Sequence, residues 1–465
     1  MAPAATFAQS VRLLAVGTPA ERPWTNALLV FVPLAVASAS AGWGDAPTFL
    51  LTLAALIPLA ERLGFCTEAL AEYTSDTFAG LMNATMGNAP ELIIAIFAIR
   101  SGQVSVVQQS LLGSVLSNLL FVLGTSFFVG GCGRSTQRFS TANSTNSFVL
   151  LLCAAAAHAL CGQVAAAAGP DCAGRVLRLS RGFAVILCVL YGLFLVFQLR
   201  THKELFDDDE SEEEGAGGGA AAAVVAEPYR DSASDSSDAP LTSAGATATA
   251  ADGAAPLAGA GAGESATLVG AGVGLELADG AAAAAAAPAA SAAGDDGGSD
   301  EPRLSFVGSL VGLACVTAVV AYLSELLTAS IMGGAAQLNI SAGFVTTILT
   351  PIAGNAAEHW SAVFFARKNR LNVSIGITVG SAVQIALFLV PASTLIGWGA
   401  GVAVTYDYGA FETWALLLAV LLGGLSIISG KSTWMLGVAL LFCYLCVAAG
   451  FFVIPGAGDR RGACA

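Results

Sequence analysis

The chain has 465 residues, of which 55% are hydrophobic and only 11% charged, with a mean hydropathy of +0.74. That balance excludes an ordinary soluble domain and points to a bundle of membrane helices. The formal net charge of −14 sits in one place: residues 201–303 hold 20 of the 33 acidic residues and 3 of the 19 basic ones. No basic stripe with interleaved aromatics invites nucleic acid.

In chain order, residues 1–23 read as a cytosolic N-terminus. The first apolar run follows Trp24 and reads as a span rather than a cleavable signal. Stretches long enough to cross a bilayer number eleven, with cores at 25–43, 48–64, 70–99, 103–130, 147–168, 181–200, 304–332, 337–366, 371–396, 411–429 and 432–454. The predicted fold is therefore an all-α polytopic membrane protein of eleven transmembrane helices. It divides into one extra N-terminal helix at 24–44, five helices over 45–200, a linker at 201–303, five helices over 304–455 and a short tail at 456–465. The linker opens on an acidic block (Asp207, Asp208, Asp209, Glu210, Glu212, Glu213, Glu214) and continues as Gly/Ala/Ser-rich sequence, which buries no core and is expected to be disordered.

Ten cysteines lie mostly singly inside apolar runs (Cys153, Cys188, Cys315, Cys443, Cys446), without CxxC or Cys/His metal spacing, and read as buried small hydrophobes. Lys and Arg counts orient the chain. A cytosolic N-terminus places 13 of the 19 basic residues on the cytosolic side and leaves six outside: Arg100, Arg175, Arg178, Arg181, Arg460 and Arg461. Arg175, Arg178 and Arg181 are a cluster that this bias does not explain. The linker is then cytosolic and the C-terminus lumenal.

The sequence also repeats itself. GNAPE at 87–91 recurs as GNAAE at 354–358, and the same 267-residue offset aligns Gly87 with Gly354, Asn88 with Asn355, Glu91 with Glu358, Gly113 with Gly380 and Ser114 with Ser381. Ser117 and Gln384 share the register. An odd number of spans in each half makes the repeat inverted, an architecture that places a substrate site at mid-membrane between broken helices. Pro90 lacks an amide proton and Gly87 is a poor helix former, so a break is predicted at 85–90. Glu91 then lies in the first turn of the restarted helix, where the dipole favours its charge. A carboxylate at the bilayer centre costs roughly 2.5–3.5 kcal/mol and needs a purpose.

Two carboxylates, two Asn oxygens and freed carbonyls make an all-oxygen site suited to a hard divalent cation, above all Ca²⁺. The candidate metal ligands are Glu91, Glu358, Asn88 and Asn355. Empty, the two carboxylates repel in a low dielectric and take up protons; Ca²⁺ displaces those protons, so either cargo leaves the pair near neutral. Ser114, Ser381, Gln384, Gly87 and Gly354 are candidate cavity-lining residues. The asparagines can alternatively cap the restarted helices, the serines can serve close helix packing, and His359 can be a packing residue whose counterpart is Leu92.

NATMGNAPELIIAIFAI with SLLGSVLSNLLFVLGTSFFVGG, and PIAGNAAEHWSAVFFARKNRLNVSIGITVGSAVQIALFLVP, resemble the two signature repeats of the calcium/proton exchanger family, within the wider cation/calcium exchanger superfamily. The resemblance implies an antiporter moving cytosolic Ca²⁺ into an acidic, vacuole-like compartment against returning protons, with no cofactor beyond these cargo ions and the bilayer as its surroundings. It implies Glu91, Glu358 and His359 in transport and proton coupling, and suggests a regulatory or cation-concentrating role for the acidic block. Met86, Pro90 and Asn372 depart from the family pattern. The runner-up is a Na⁺-coupled Ca²⁺ exchanger, against which GNAAEH argues. An intramembrane metalloprotease would need HExxH-like spacing, and His158, His202 and His359 are far apart.

Overall fold

The computed structural model describes residues 23–71, 73, 74, 82, 86–141, 144–167, 172–202 and 304–454. Residues 1–22, the linker from 203 to 303 with its acidic block, and the tail from 455 lie outside the described residues. Among the described residues the chain is helical apart from one two-residue strand pairing.

The helices are α1 (Pro23–Leu28), α2 (Phe31–Ala41), α3 (Asp45–Ala71), α4 (Ala89–Arg100), α5 (Val104–Gly131), α6 (Ser144–Ala167), α7 (Cys172–Thr201), α8 (Phe306–Gln337), α9 (Ala342–Gly354), α10 (Ala356–Arg367), α11 (Leu371–Ala400), α12 (Ala410–Ile428) and α13 (Trp434–Val453). Eight of them, α3, α5, α6, α7, α8, α11, α12 and α13, are long and apolar enough to cross a membrane. The other predicted spans are divided. The span expected at 25–43 is interrupted between α1 and α2, and the one expected at 337–366 separates into α8's end, α9 and α10. Of the span expected at 70–99, the structure describes α3 ending at Ala71 and α4 starting at Ala89, with most of the intervening residues outside the described set. At 12 residues, α4 and α10 are about 18 Å long and do not cross a bilayer alone.

One helix extends beyond its predicted apolar core. The span predicted at 181–200 begins at Cys172, so Arg175, Arg178 and Arg181 belong to a helix. Long Arg side chains are compatible with helical backbone at an interface because their charged ends reach polar surroundings. The cysteines also differ in part from expectation. Cys153, Cys315 and Cys446 are free but exposed on helix surfaces, and Cys172 is disulfide-bonded.

Contacts between loops fix the two ends of the bundle. Strand β1 (Gln137–Arg138) pairs antiparallel with β2 (Lys431–Ser432), bringing the loop after α5 to the loop before α13. Gln137 Nε2 donates to Asn369 Oδ1 at 2.8 Å and the Ser140 amide donates to Asn372 Oδ1 at 2.8 Å, adding the α10–α11 loop to this end. Asn372, one of the departures from the family pattern, thus ties the first turn of α11 to the loop after α5. At the opposite end the Ala46 amide donates to Gln337 Oε1 at 2.9 Å, and Gln108 Nε2 donates to the Thr405 carbonyl at 2.9 Å.

The core is a continuous apolar cluster in which α5 and α11 are the most enclosed long helices. Each carries a π-helical stretch, Ser117–Val122 in α5 and Ile385–Leu389 in α11. Such stretches offset the hydrogen-bond ladder by one residue and recur at functional sites. Beside them α5 touches α9 almost backbone to backbone. A Cβ placed on Gly113 would lie 2.0 Å from the Thr347 carbonyl oxygen and 2.7 Å from the Pro351 ring.

Candidate functional site

The site is built at two helix starts. α4 and α10 begin at Ala89 and Ala356 and end at Arg100 and Arg367, so both boundaries are separated by the repeat offset. Asn88 (φ −106°, ψ 20°) and Asn355 (φ −95°, ψ 15°) precede them in the sparsely populated bridge region. Neither asparagine caps its helix through its side chain. Glu91 and Glu358 then occupy the first turns, where unpaired amide protons and the helix dipole favour an anion.

Asn88 reaches across to the other half of the chain. Its Nδ2 donates to Gln384 Oε1 at 2.6 Å, and its Oδ1 accepts from Ser381 Oγ at 3.5 Å. Ser381 in turn accepts from Asn118 Nδ2 at 3.0 Å and hydrogen-bonds Glu358. The Glu91 charge acts on Glu358. The route to this closeness is Gly354: a Cβ there would stand 2.8 Å from Glu91 Oε1. The missing side chain lets the first-half carboxylate lie on the break of the second half.

Both carboxylates keep unused capacity. Glu91 is 8% exposed and Glu358 half-buried, yet Glu91 Oε1 and Glu358 Oε2 are buried without a hydrogen-bond partner, as is Asn355 Nδ2. Buried polar atoms are normally paired, so these three leave donor and acceptor capacity unused beside the two helix starts. No group of three or more His, Cys, Asp and Glu side chains occurs among the described residues. The space between the two glutamates is therefore bounded by two carboxylates and neutral polar side chains.

The other predicted residues divide. Ser381 and Gln384 belong to the network, and Ser114 is buried one turn before Asn118 on α5, its carbonyl accepting from Ser117 Oγ at 3.2 Å. Gly87 is exposed in the turn before α4. His359 is buried, but its ring packs edge-on against Phe121 with centroids 5.8 Å apart, and Phe121 lies against Tyr444. Arg100 lies over the Phe97 ring at the far end of α4 rather than at the glutamates.

Sequence reasoning missed Asn118. Repeat symmetry hides it, because the matching position in the second half is Ile385. The available signal was an amide side chain between apolar residues and two serines in SVLSNLLFV. It is fully buried, and its Oδ1 has no partner. Replacing it by Leu keeps its size but leaves Ser381 without that donor. Such a loss costs about 1–3 kcal/mol, so Asn118→Leu is expected to lower apparent cation affinity by about 5- to 150-fold in a transport titration, with expression unchanged.

A family model described as sodium/calcium exchanger protein matches residues 46–200 and 308–453. The vacuolar cation/proton exchanger 1a of Oryza sativa subsp. japonica is 36% identical over 431 residues, covering 91% of this chain and 78% of that protein. The vacuolar cation/proton exchanger 1 of Arabidopsis thaliana is also 36% identical, over 432 residues, covering 91% and 76% respectively. Among solved structures, native YfkE superposes with a TM-score of 0.64 at 27% identity, covering 92% of this chain and all of that one. Selenium-substituted YfkE, described as a Ca²⁺/H⁺ antiporter, gives 0.62 at 27% identity, with 92% and 98% covered. The chain belongs to the sodium/calcium exchanger protein family, among its cation/proton exchangers.

Proposed function

We propose that this chain exchanges cytosolic Ca²⁺ for lumenal protons across a vacuolar-type membrane by alternating access, with Glu91 and Glu358 as the shared carriers of both cargoes. The observation that carries the reading is the Glu91 carboxylate lying on Gly354, electrostatically coupled to Glu358, each with an unpartnered buried oxygen. Two charges balance one Ca²⁺ or two protons. The empty charged pair is costly to carry through a low dielectric, so conformational exchange is favoured only when the site is loaded. Asn88, Asn355, Ser114, Ser381, Gln384 and Asn118 supply or position neutral oxygens around the cargo, as a hard cation prefers. His359 tunes the site from its aromatic setting rather than as a charge carrier.

The matched helix starts and π stretches support an inverted repeat of five plus five helices after an extra N-terminal one. On that reading α9 with α10, and α4 with the residues before it, form the broken crossings. The N-terminus and linker are then cytosolic and the C-terminus lumenal. The names of the plant relatives support a vacuolar membrane.

Reconstituted protein tests the reading. With Ca²⁺ outside and an acid interior, uptake is expected in the absence of Na⁺ and is expected to collapse when the pH gradient is dissipated. Uptake that instead requires an inward-facing Na⁺ store would replace it by a Na⁺-coupled exchanger. Deleting residues 215–300 is expected to leave this uptake within about twofold, because a Gly/Ala/Ser-rich segment contributes no core. Removing 207–214 is expected to raise the Ca²⁺ concentration needed at low salt and to have less effect at high salt, where screening shortens its reach to a few ångströms.

A further inference from the structure

Arg175, Arg178 and Arg181 follow one another at three-residue spacing along the first three turns of α7. Arg175 and Arg178 are exposed, and none of the three has an ion pair among the described residues. Arg181 is held in place from the side: its guanidinium lies over the Trp398 ring of α11, 4.8 Å from the centroid, while its Nε is buried without a partner. Asp407, the carboxylate of the loop after α11, spends its hydrogen bond on the Gly409 amide, and its carboxyl is pushed up by burial with no arginine acting on it. Among the described residues, no carboxylate pairs with these three positive charges.

Below them α7 is greasy and uncovered. Only 17% of its apolar stretch is buried, and Val185, Ile186, Val189, Leu193 and Val196 are exposed, between 47% and 62%. Ile186 lies eleven residues after Arg175, and Val189 eleven after Arg178, which returns each to the same helix face about 16 Å further along. The face therefore presents cationic heads at one end and a continuous aliphatic track beneath, beside an exposed Trp398 of the kind that settles at a bilayer interface. Charge and shape together match one ligand, a phosphate-bearing headgroup with its acyl chain running down the helix.

We propose that the first three turns of α7, with Trp398, form a binding site for an anionic phospholipid. Arg178 and Arg175 engage the headgroup phosphate, Arg181 orients it from its stacked position, and the track from Ile186 to Val196 takes an acyl chain. The site does not depend on which ions the protein exchanges. It also gives a role to the arginines that fall on the minority side of the basic-residue bias.

Native mass spectrometry of the full chain, titrated with phosphatidylglycerol or phosphatidylcholine, tests this. Each arginine near a membrane surface contributes about fivefold to the binding of an anionic headgroup. Wild type is expected to retain phosphatidylglycerol over phosphatidylcholine, and Arg175→Gln/Arg178→Gln to bind phosphatidylglycerol roughly 25-fold more weakly. Arg175→Lys/Arg178→Lys is expected to keep most of the binding, and Arg138→Gln, at the opposite end, to change nothing. Equal retention by wild type and the double Gln variant would overturn the proposal, as would an equal loss in Arg138→Gln. Displacement by inorganic phosphate at the concentration where phosphatidylglycerol itself competes would make this a free-anion site and equally overturn it.

Discussion

Glu358→Gln is expected to abolish proton-driven Ca²⁺ uptake, and Glu91→Gln to do the same. Each substitution preserves size and one carbonyl oxygen and removes one negative charge from a pair whose charges act on each other. Two carboxylates neutralise Ca²⁺; one leaves a net positive charge in a buried site. Leaving a buried charge uncompensated costs about 3–5 kcal/mol, more than a hundredfold in affinity, so the loss is expected in maximal rate as well as in apparent affinity. Folding is expected to survive, because Gln is less costly to bury than ionised Glu. Uptake into acid-loaded vesicles, normalised to reconstituted protein, checks both variants. His359→Ala removes no charge needed by the cation and is expected to weaken transport without abolishing it.

Gly113→Val is expected to prevent folding altogether. The Cβ would stand 2.0 Å from the Thr347 carbonyl oxygen, a backbone atom held inside α9, and the Pro351 ring closes the other side. Neither neighbour is the free end of a flexible side chain, so α5 and α9 would have to separate beside the site. Overpacking of a well-packed core costs typically about 1–3 kcal/mol, and a clash with backbone at this distance falls at or beyond the upper end. The repeat-matched glycine supplies the control: a Cβ on Gly380 meets nothing within 4 Å. Gly380→Ala is expected to be tolerated, with a monodisperse size-exclusion profile and near-normal uptake. Gly113→Val is expected to aggregate or to be degraded.

These two glycines share one register and carry different burdens, which shows what a repeat in the sequence can and cannot reveal. Recurrence of GNAPE as GNAAE pointed to the two helix starts and singled out Glu91, Glu358, Ser381 and Gln384, and the structure places these four in one neighbourhood. It did not reveal Asn118, whose symmetry mate is Ile385, since the donor to Ser381 is needed once rather than twice. Hydropathy found the interiors of the long helices. It found the apolar core of α7 but not the nine residues before it, because arginines at the head of a helix lower the local hydropathy. Nor does any local pattern announce the π stretches in α5 and α11, whose residues are mostly buried. The asparagines show the same limit. Their position just before a restarted helix suits a cap, and only tertiary partners send Asn88 to Gln384 instead.

The central claim is that one pair of carboxylates carries Ca²⁺ in one direction and protons in the other. Its most direct measurement follows both ions at once in vesicles containing only the purified protein, with an internal pH dye and an external Ca²⁺ electrode. Addition of Ca²⁺ to acid-loaded, Na⁺-free vesicles is expected to alkalinise the interior in proportion to the Ca²⁺ taken up, and both signals are expected to vanish together in Glu358→Gln. Ca²⁺ entry without alkalinisation, or a Glu358→Gln protein that still exchanges both ions at the wild-type rate, would contradict the account.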